Sequence, residues 1–83
     1  MAKAKHSTAY NQFRAMLVAA RISAGLKQID VARRLGLPQS YVSKVEQGER
    51  RLDVIEFLEF SRAIDADPVG LLRKIIGVHG QGE

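Results

Sequence analysis

Gly25, Gly36 and Gly48 each stand just past a segment in which apolar residues recur at helical spacing. A glycine just past such a run is a stop signal, because it adopts the positive φ that closes a helix at no steric cost. The chain is thereby cut into short helices with brief connections. Before the first stop, Phe13, Leu17, Ala20 and Ala24 recur in steps of four, three and four and line one face of a helix that starts after Ser7 and Thr8. The next segment, QIDVARRLG, places Val31, Ala32 and Leu35 on one side and Arg33 and Arg34 toward the other, a helix of about two turns. A third helix is predicted from Pro38 to Gln47, with Pro38 in its first turn, where the missing N–H costs no intrahelical bond.

Two further helices follow. Asp53 with Glu56 three residues on is an aspartate version of a capping box, and Val54, Phe57, Leu58, Ser61 and Ile64 continue at helical spacing. In DPVGLLRKII, Asp67 caps, Pro68 takes the first helical position, and Leu71, Leu72, Ile75 and Ile76 form an apolar face. The closing GVHGQGE reads as a glycine-rich frayed tail. No strand alternation competes, so the expected fold is all-α: five helices, with residues 1–8 a flexible basic tail, 9–76 the folded domain and 77–83 a flexible tail.

At 83 residues the chain holds one core and leaves no room for a separate catalytic domain. Its 46% hydrophobic content suits a compact fold. The absence of cysteine removes disulfides, thiolate metal sites and cysteine nucleophiles, and fits the cytosol. No apolar run is long enough to cross a bilayer or serve as an export signal, so a cytoplasmic protein is expected. The net charge of +4 is unevenly spread. Residues 1–51 carry ten Lys/Arg against three Asp/Glu, a net of +7, whereas residues 52–83 are net −3. Charge alone leaves two readings open, a polyanion bound on one side or a solvated charged surface.

The third helix favours the first. On a wheel of 100° per residue with Val42 at the origin, Val45 lies near 300°, so the outward direction is near 150°. Ser40 (about 160°), Lys44 (about 200°), Gln47 (about 140°) and Ser43 (about 100°) share that side. Gln39 opens the helix, and Tyr41 can bury its ring edge while its hydroxyl stays wet. A merely solvated helix carries mixed Glu and Lys. Hydroxyls, amides and one cation, with no acid at the centre of the face, match base edges and phosphates: amide to adenine N6/N7, ammonium to guanine O6/N7, hydroxyl to either. In the preceding segment Ala32 permits close crossing and Gly36 a sharp turn, so Gln28 to Gln47 reads as a helix-turn-helix.

Across roughly residues 13 to 76 the sequence resembles the lambda-repressor-like, Cro/Xre-type family of bacterial and phage DNA-binding domains. The resemblance implies that the third helix enters the major groove. Gln39, Ser40 and Lys44 would then read bases; Ser43 and Tyr41 would contact base or backbone; Gln28 would hold a phosphate and brace Gln39. Lys27, Gln47, Arg50 and Arg51 would meet phosphate. It also implies a partly buried ion pair, Arg21 with Glu46, for which two exposed charges is the alternative. The chain departs from the family at Lys27, where a threonine cap is common, at Leu52, where proline is common, and at Gly70 inside helix five. None touches the expected reading face.

Arg33 and Arg34 read as phosphate ligands or as outward charges; Lys3 and Lys5 as a minor-groove arm or a solubilising tail. The phenylalanines are at core spacing. His6 and His79 make no metal site. Ile55, Leu72, Ile75 and Ile76 exceed what one small core covers and are expected in a homodimer interface, the alternative being a monomer with ordinary exposed apolar atoms. The expected function is a transcriptional regulator, a repressor, on a pseudo-palindromic operator of double-stranded DNA. It needs no cofactor and no small-molecule ligand. The rival is a protein-interaction module, such as the antitoxin of a toxin–antitoxin pair. An enzyme is disfavoured, since no nucleophile–base–orienter set can be drawn.

Overall fold

The computed structural model describes residues 8–82. Lys3, Lys5 and His6 lie outside them, as does the side chain of His79. Five helices follow one another: α1 Thr8–Ser23, α2 Gln28–Leu35, α3 Gln39–Gln47, α4 Val54–Ala63 and α5 Pro68–Gly82. The described chain contains no strand. The fold is the expected all-α domain of five helices.

Leu17 of α1, Val31 of α2, Val42 and Val45 of α3, and Phe60 and Ile64 at α4 form the centre of the core, each essentially inaccessible to solvent. Leu71 closes it from α5. Phe13 and Phe57 meet at 5.4 Å between ring centroids, tilted by 53°, an edge-on geometry that aromatic quadrupoles favour. Packing is strongest between α2 and α3, while α1 lies behind both α3 and α5. Ala32, 1% exposed, lets α2 and α3 approach closely. Ala24, expected on the packed face of α1, is exposed in the turn instead.

The helix ends explain the turns. After α2 the Gly36 N–H reaches Arg33 O at 3.2 Å and the Leu37 N–H reaches Ala32 O at 3.0 Å, with Gly36 at φ 71°. After α3 the Gly48 N–H reaches Val45 O at 3.1 Å and the Glu49 N–H reaches Lys44 O at 2.9 Å, with Gly48 at φ 85°. Both are Schellman closures. The same closure ends α4 with Asp65 at φ 58°, tolerable because a short polar side chain visits the left-handed region more readily than most. At the start of α4, Asp53 Oδ1 accepts from the Glu56 N–H at 2.8 Å and Glu56 Oε1 from the Asp53 N–H at 2.9 Å, the predicted capping box. Asp67 caps α5 through the N–H groups of Val69 and Gly70 at 3.3 and 3.2 Å.

Two helix boundaries are corrected. Pro38 stands just before α3 rather than in its first turn: its φ of −65° is helical but its ψ of 153° is extended, so it is the N-cap. The helix of α5 continues to Gly82, past the frayed tail expected from residue 77. Glycine lowers helix propensity by about 1 kcal/mol yet keeps its N–H, so a helix already nucleated by packing runs through it. Lys27 leaves α2 without a side-chain cap, but the start is held from the other direction, Asp30 Oδ2 accepting the Lys27 N–H at 2.8 Å.

Gly36 and Gly48 differ in surroundings. A Cβ on Gly36 meets nothing within 4 Å, whereas one on Gly48 lies 2.8 Å from Arg14 Nε. Gly36→Ala should therefore cost the backbone penalty alone, about 1 to 2 kcal/mol. Gly48→Ala should cost about 1 kcal/mol more by displacing a hydrogen-bonded arginine. Chemical denaturation of both variants checks this, and equal losses would mean that Arg14 yields freely.

Candidate nucleic-acid interface

Two buried valines hold α3 and determine what it shows to solvent. With Val42 and Val45 both at 0% exposure, Gln39, Ser40, Lys44 and Gln47 are exposed, and Ser43 and Tyr41 are half-buried. Ser43 is paired along the helix, its Oγ accepting from Gln47 Nε2 at 3.1 Å. The structure thus brings Gln39, Ser40, Lys44 and Gln47 together on one helix and gives them no acidic neighbour on that face. Glu46, the one acid of α3, is turned inward and buried.

Glu46 has partners enough to offset its lost hydration. Arg21 Nε donates to Oε2 at 2.6 Å and Arg21 Nη2 to Oε1 at 3.1 Å, with side-chain exposures of 13% for the arginine and 5% for the glutamate. Gln28 Nε2 donates to Oε1 at 2.8 Å. The third nitrogen of Arg21 donates to Leu26 O at 2.8 Å, which ties the α1–α2 turn to the same group. Gln39 Nε2 in turn faces Gln28 Oε1 at 3.4 Å, at the exposed start of α3. Arg14 completes the support, its Nη1 donating to the carbonyl of Glu46 at 2.7 Å. Sequence reasoning missed Arg14, although it stands seven residues before Arg21, two helical turns away on the same face of α1.

The loop after α3 behaves differently from the expectation. Arg50 is folded back on α4: its Nη1 and Nη2 donate to Glu56 Oε1 and Oε2 at 3.1 and 2.6 Å, and its guanidinium lies 5.1 Å from the centre of the Tyr41 ring. An arginine bound by both oxygens of a carboxylate is a weaker candidate for phosphate, and a glutamate six residues on was a signal available in the sequence. Arg51, which is exposed, stacks 4.0 Å over the ring of Tyr10. Of the other predicted cations, Lys27 and Lys44 are exposed. Arg33 is exposed as well, whereas Arg34 donates to Ala63 O at 2.9 Å and pairs with Asp65 at 3.1 Å, closing the end of α4.

This cluster carries the titration. The Arg50 hydrogen bond, and then the Asp53 N–H, hold the Glu56 carboxyl below the ordinary glutamate range. Burial, and then the Glu56 charge, push the Tyr41 phenol up. A carboxyl with a depressed pKa in the folded state stabilises fully above its unfolded pKa and loses that contribution as the pH falls through the folded value, below about pH 4.3. The melting temperature of Glu56→Gln should accordingly fall less steeply between about pH 5 and 3 than that of the wild type. Parallel curves would place the acid sensitivity elsewhere.

The Ile55, Leu72 and Ile76 side chains are exposed, at 62, 45 and 68%, while Ile75 is half-buried. Val54, placed by its spacing in the apolar series of helix four, is exposed instead, at 73%, and Val69, not singled out from the sequence, is exposed at 53%. Val69, Leu72 and Ile76 are spaced along one face of α5.

A helix-turn-helix family model matches residues 17–71. A search of curated proteins found no match. Among solved structures, an Xre-family-like protein from Pseudomonas syringae pv. tomato is similar at a TM-score of 0.84 and 49% identity, over 88% of this chain and 89% of that one. The restriction-modification controller protein C.AhdI from Aeromonas hydrophila is similar at a TM-score of 0.67 and 34% identity, over 75% of this chain and 94% of that one. A second such controller, C.Esp1396I, shares the fold at a TM-score of 0.76 and 19% identity, over 87% and 95% of the two chains. With more than half its length matched by the family model and two such relatives above 30% identity, the chain belongs to the Cro/Xre-type helix-turn-helix family of DNA-binding transcription regulators.

Proposed function

We propose that this protein is a repressor that binds a pseudo-palindromic operator as a homodimer, with α3 in the major groove of each half-site. The observation that carries the reading is the exposed row Gln39, Ser40, Lys44 and Gln47 on a helix whose other side is locked by Val42 and Val45 and whose acid is buried. Gln39, Ser40 and Lys44 read bases; Ser43 and Tyr41 sit at their edge. Lys27, Gln28 and Gln47 meet phosphate. Arg51, exposed beside Tyr10, joins them, whereas Arg50 does so only by giving up Glu56, so its main part is to hold Tyr41 and the loop. The exposed apolar residues of α4 and α5, Ile55, Leu72 and Ile76 with the edge of Ile75, supply the two-fold interface. Two recognition helices then address half-sites about 34 Å apart.

Selection of binding sites from a random duplex library, at one stated near-physiological salt concentration, tests this directly. An inverted repeat is the expected product. A folded protein that recovers no sequence would overturn base reading and favour the protein-interaction module, for which the acidic second half would be the surface.

Two substitutions separate the roles. Gln39→Ala should lose roughly 1 to 3 kcal/mol on the selected site and relax preference at one base pair. Lys27→Ala should weaken all sequences alike and reduce the salt slope by about one unit. Uniform loss in both, measured by titration against the selected and a scrambled duplex, would remove Gln39 from base reading.

A further inference from the structure

Arg21, Glu46, Gln28 and Gln39 form one hydrogen-bonded row that begins inside the protein and ends at the exposed start of α3. The chemistry of its buried end fixes the direction of every bond along it. A carboxylate held by a guanidinium through both oxygens has only acceptors to offer. The Gln28 atom 2.8 Å from Glu46 Oε1 must therefore be the amide nitrogen, and a flipped amide would set oxygen against oxygen. With its nitrogen committed inward, Gln28 turns its oxygen toward Gln39, which meets it with a donor, Nε2 at 3.4 Å. Gln39 is left with its carbonyl oxygen and one remaining N–H turned to solvent. That pair is the complement of adenine, whose N6 donates and whose N7 accepts.

We propose that Glu46 is a positioning residue for base selection: through Gln28 it dictates which way the Gln39 amide faces, and so selects adenine. The inference rests on the proposed reading of DNA by Gln39. Glu46 touches no base, and its effect passes through two amides.

The charge swap R21E/E46R reverses the row. A guanidinium at position 46 has only donors to offer, and the carboxylate at position 21 gives it a partner across the same helices. Gln28 must then turn its oxygen inward and its nitrogen outward, and Gln39 must answer with its own oxygen, which presents the wrong groups to adenine. Glu46→Gln alone does not reverse it, because a carbonyl oxygen in the place of Oε1 accepts from both Arg21 Nη2 and Gln28 Nε2.

The test is library selection with wild type and R21E/E46R side by side, followed by titration against duplexes that differ only at the base pair assigned to Gln39. For the charge swap, preference for adenine there should fall roughly five- to a hundredfold, while positions assigned to Ser40 and Lys44 keep theirs. A loss of stability alone would weaken every sequence equally and leave the preference intact. The double variant R21M/E46Q, which removes both charges, serves as a second fold-competent probe. With neither amide direction enforced, its adenine preference should fall less than that of the charge swap. A measurement on the wild type needs no variant: the Gln28 side-chain amide protons should be protected from exchange and separated in shift by Glu46. A folded variant that keeps the wild-type preference, or a freely exchanging Gln28 amide, overturns the relay while leaving DNA reading intact. A wild type that selects no sequence overturns both.

Discussion

The Glu46 carboxylate is the charge around which the helix-turn-helix is organised. Taking it out of water costs several kcal/mol unless charge and hydrogen bonds replace its hydration. Here the replacements come from two other helices, Arg21 from α1 and Gln28 from α2. The three helices can satisfy the group only in one mutual arrangement. Arg14 adds a second tether from α1, to the backbone at the end of α3. α1 is thus the brace behind α3, which itself is only nine residues long and would not hold its shape alone.

The arginines show how little a charge total says about an interface. Residues 1–51 are strongly basic, yet Arg14, Arg21, Arg34, Arg50 and Arg51 all have partners within the fold: a backbone carbonyl, a buried glutamate, the end of α4, the capping glutamate of α4 and an aromatic ring. Lys27, Arg33 and Lys44 are exposed. A guanidinium suits the first task because its fixed fork meets carboxylates and carbonyls with little loss of freedom per bond, and an ammonium suits the second because it is strongly hydrated. The surface charge offered to a polyanion is smaller than the composition suggests, and it is carried largely by lysine near α2 and α3.

Much of the frame was legible. The apolar spacing, the glycine stops and the Asp53–Glu56 box are local signals, and the helices begin and end close to where they place them. The outward face of α3 was legible for the same reason: Val42 and Val45 identify the buried direction, and the residues opposite them follow from helical geometry. The misreadings have local causes too. Pro38 has a φ that serves a first turn and an N-cap equally, so its ψ decides, and ψ depends on how the chain arrives from α2. The glycines after Ile76 argue against helix by propensity, but α5 is nucleated by the Asp67 cap and the burial of Leu71, which the tail composition does not register.

By itself, then, the sequence determined the helices, their turns and the polar face of α3, because each depends on residues within a few positions of one another. The tertiary structure decided the partners of the long side chains. Arg14 reaches a carbonyl 32 residues away, Arg34 one 29 residues away, and Arg21 a carboxylate 25 residues away. An arginine side chain is long and flexible enough to find any acceptor that packing brings near, so its partner is set by which helices cross and not by its neighbours in the chain. The row from Arg21 to Gln39 exists for that reason: its members come from three helices, and only the packing of those helices joins them.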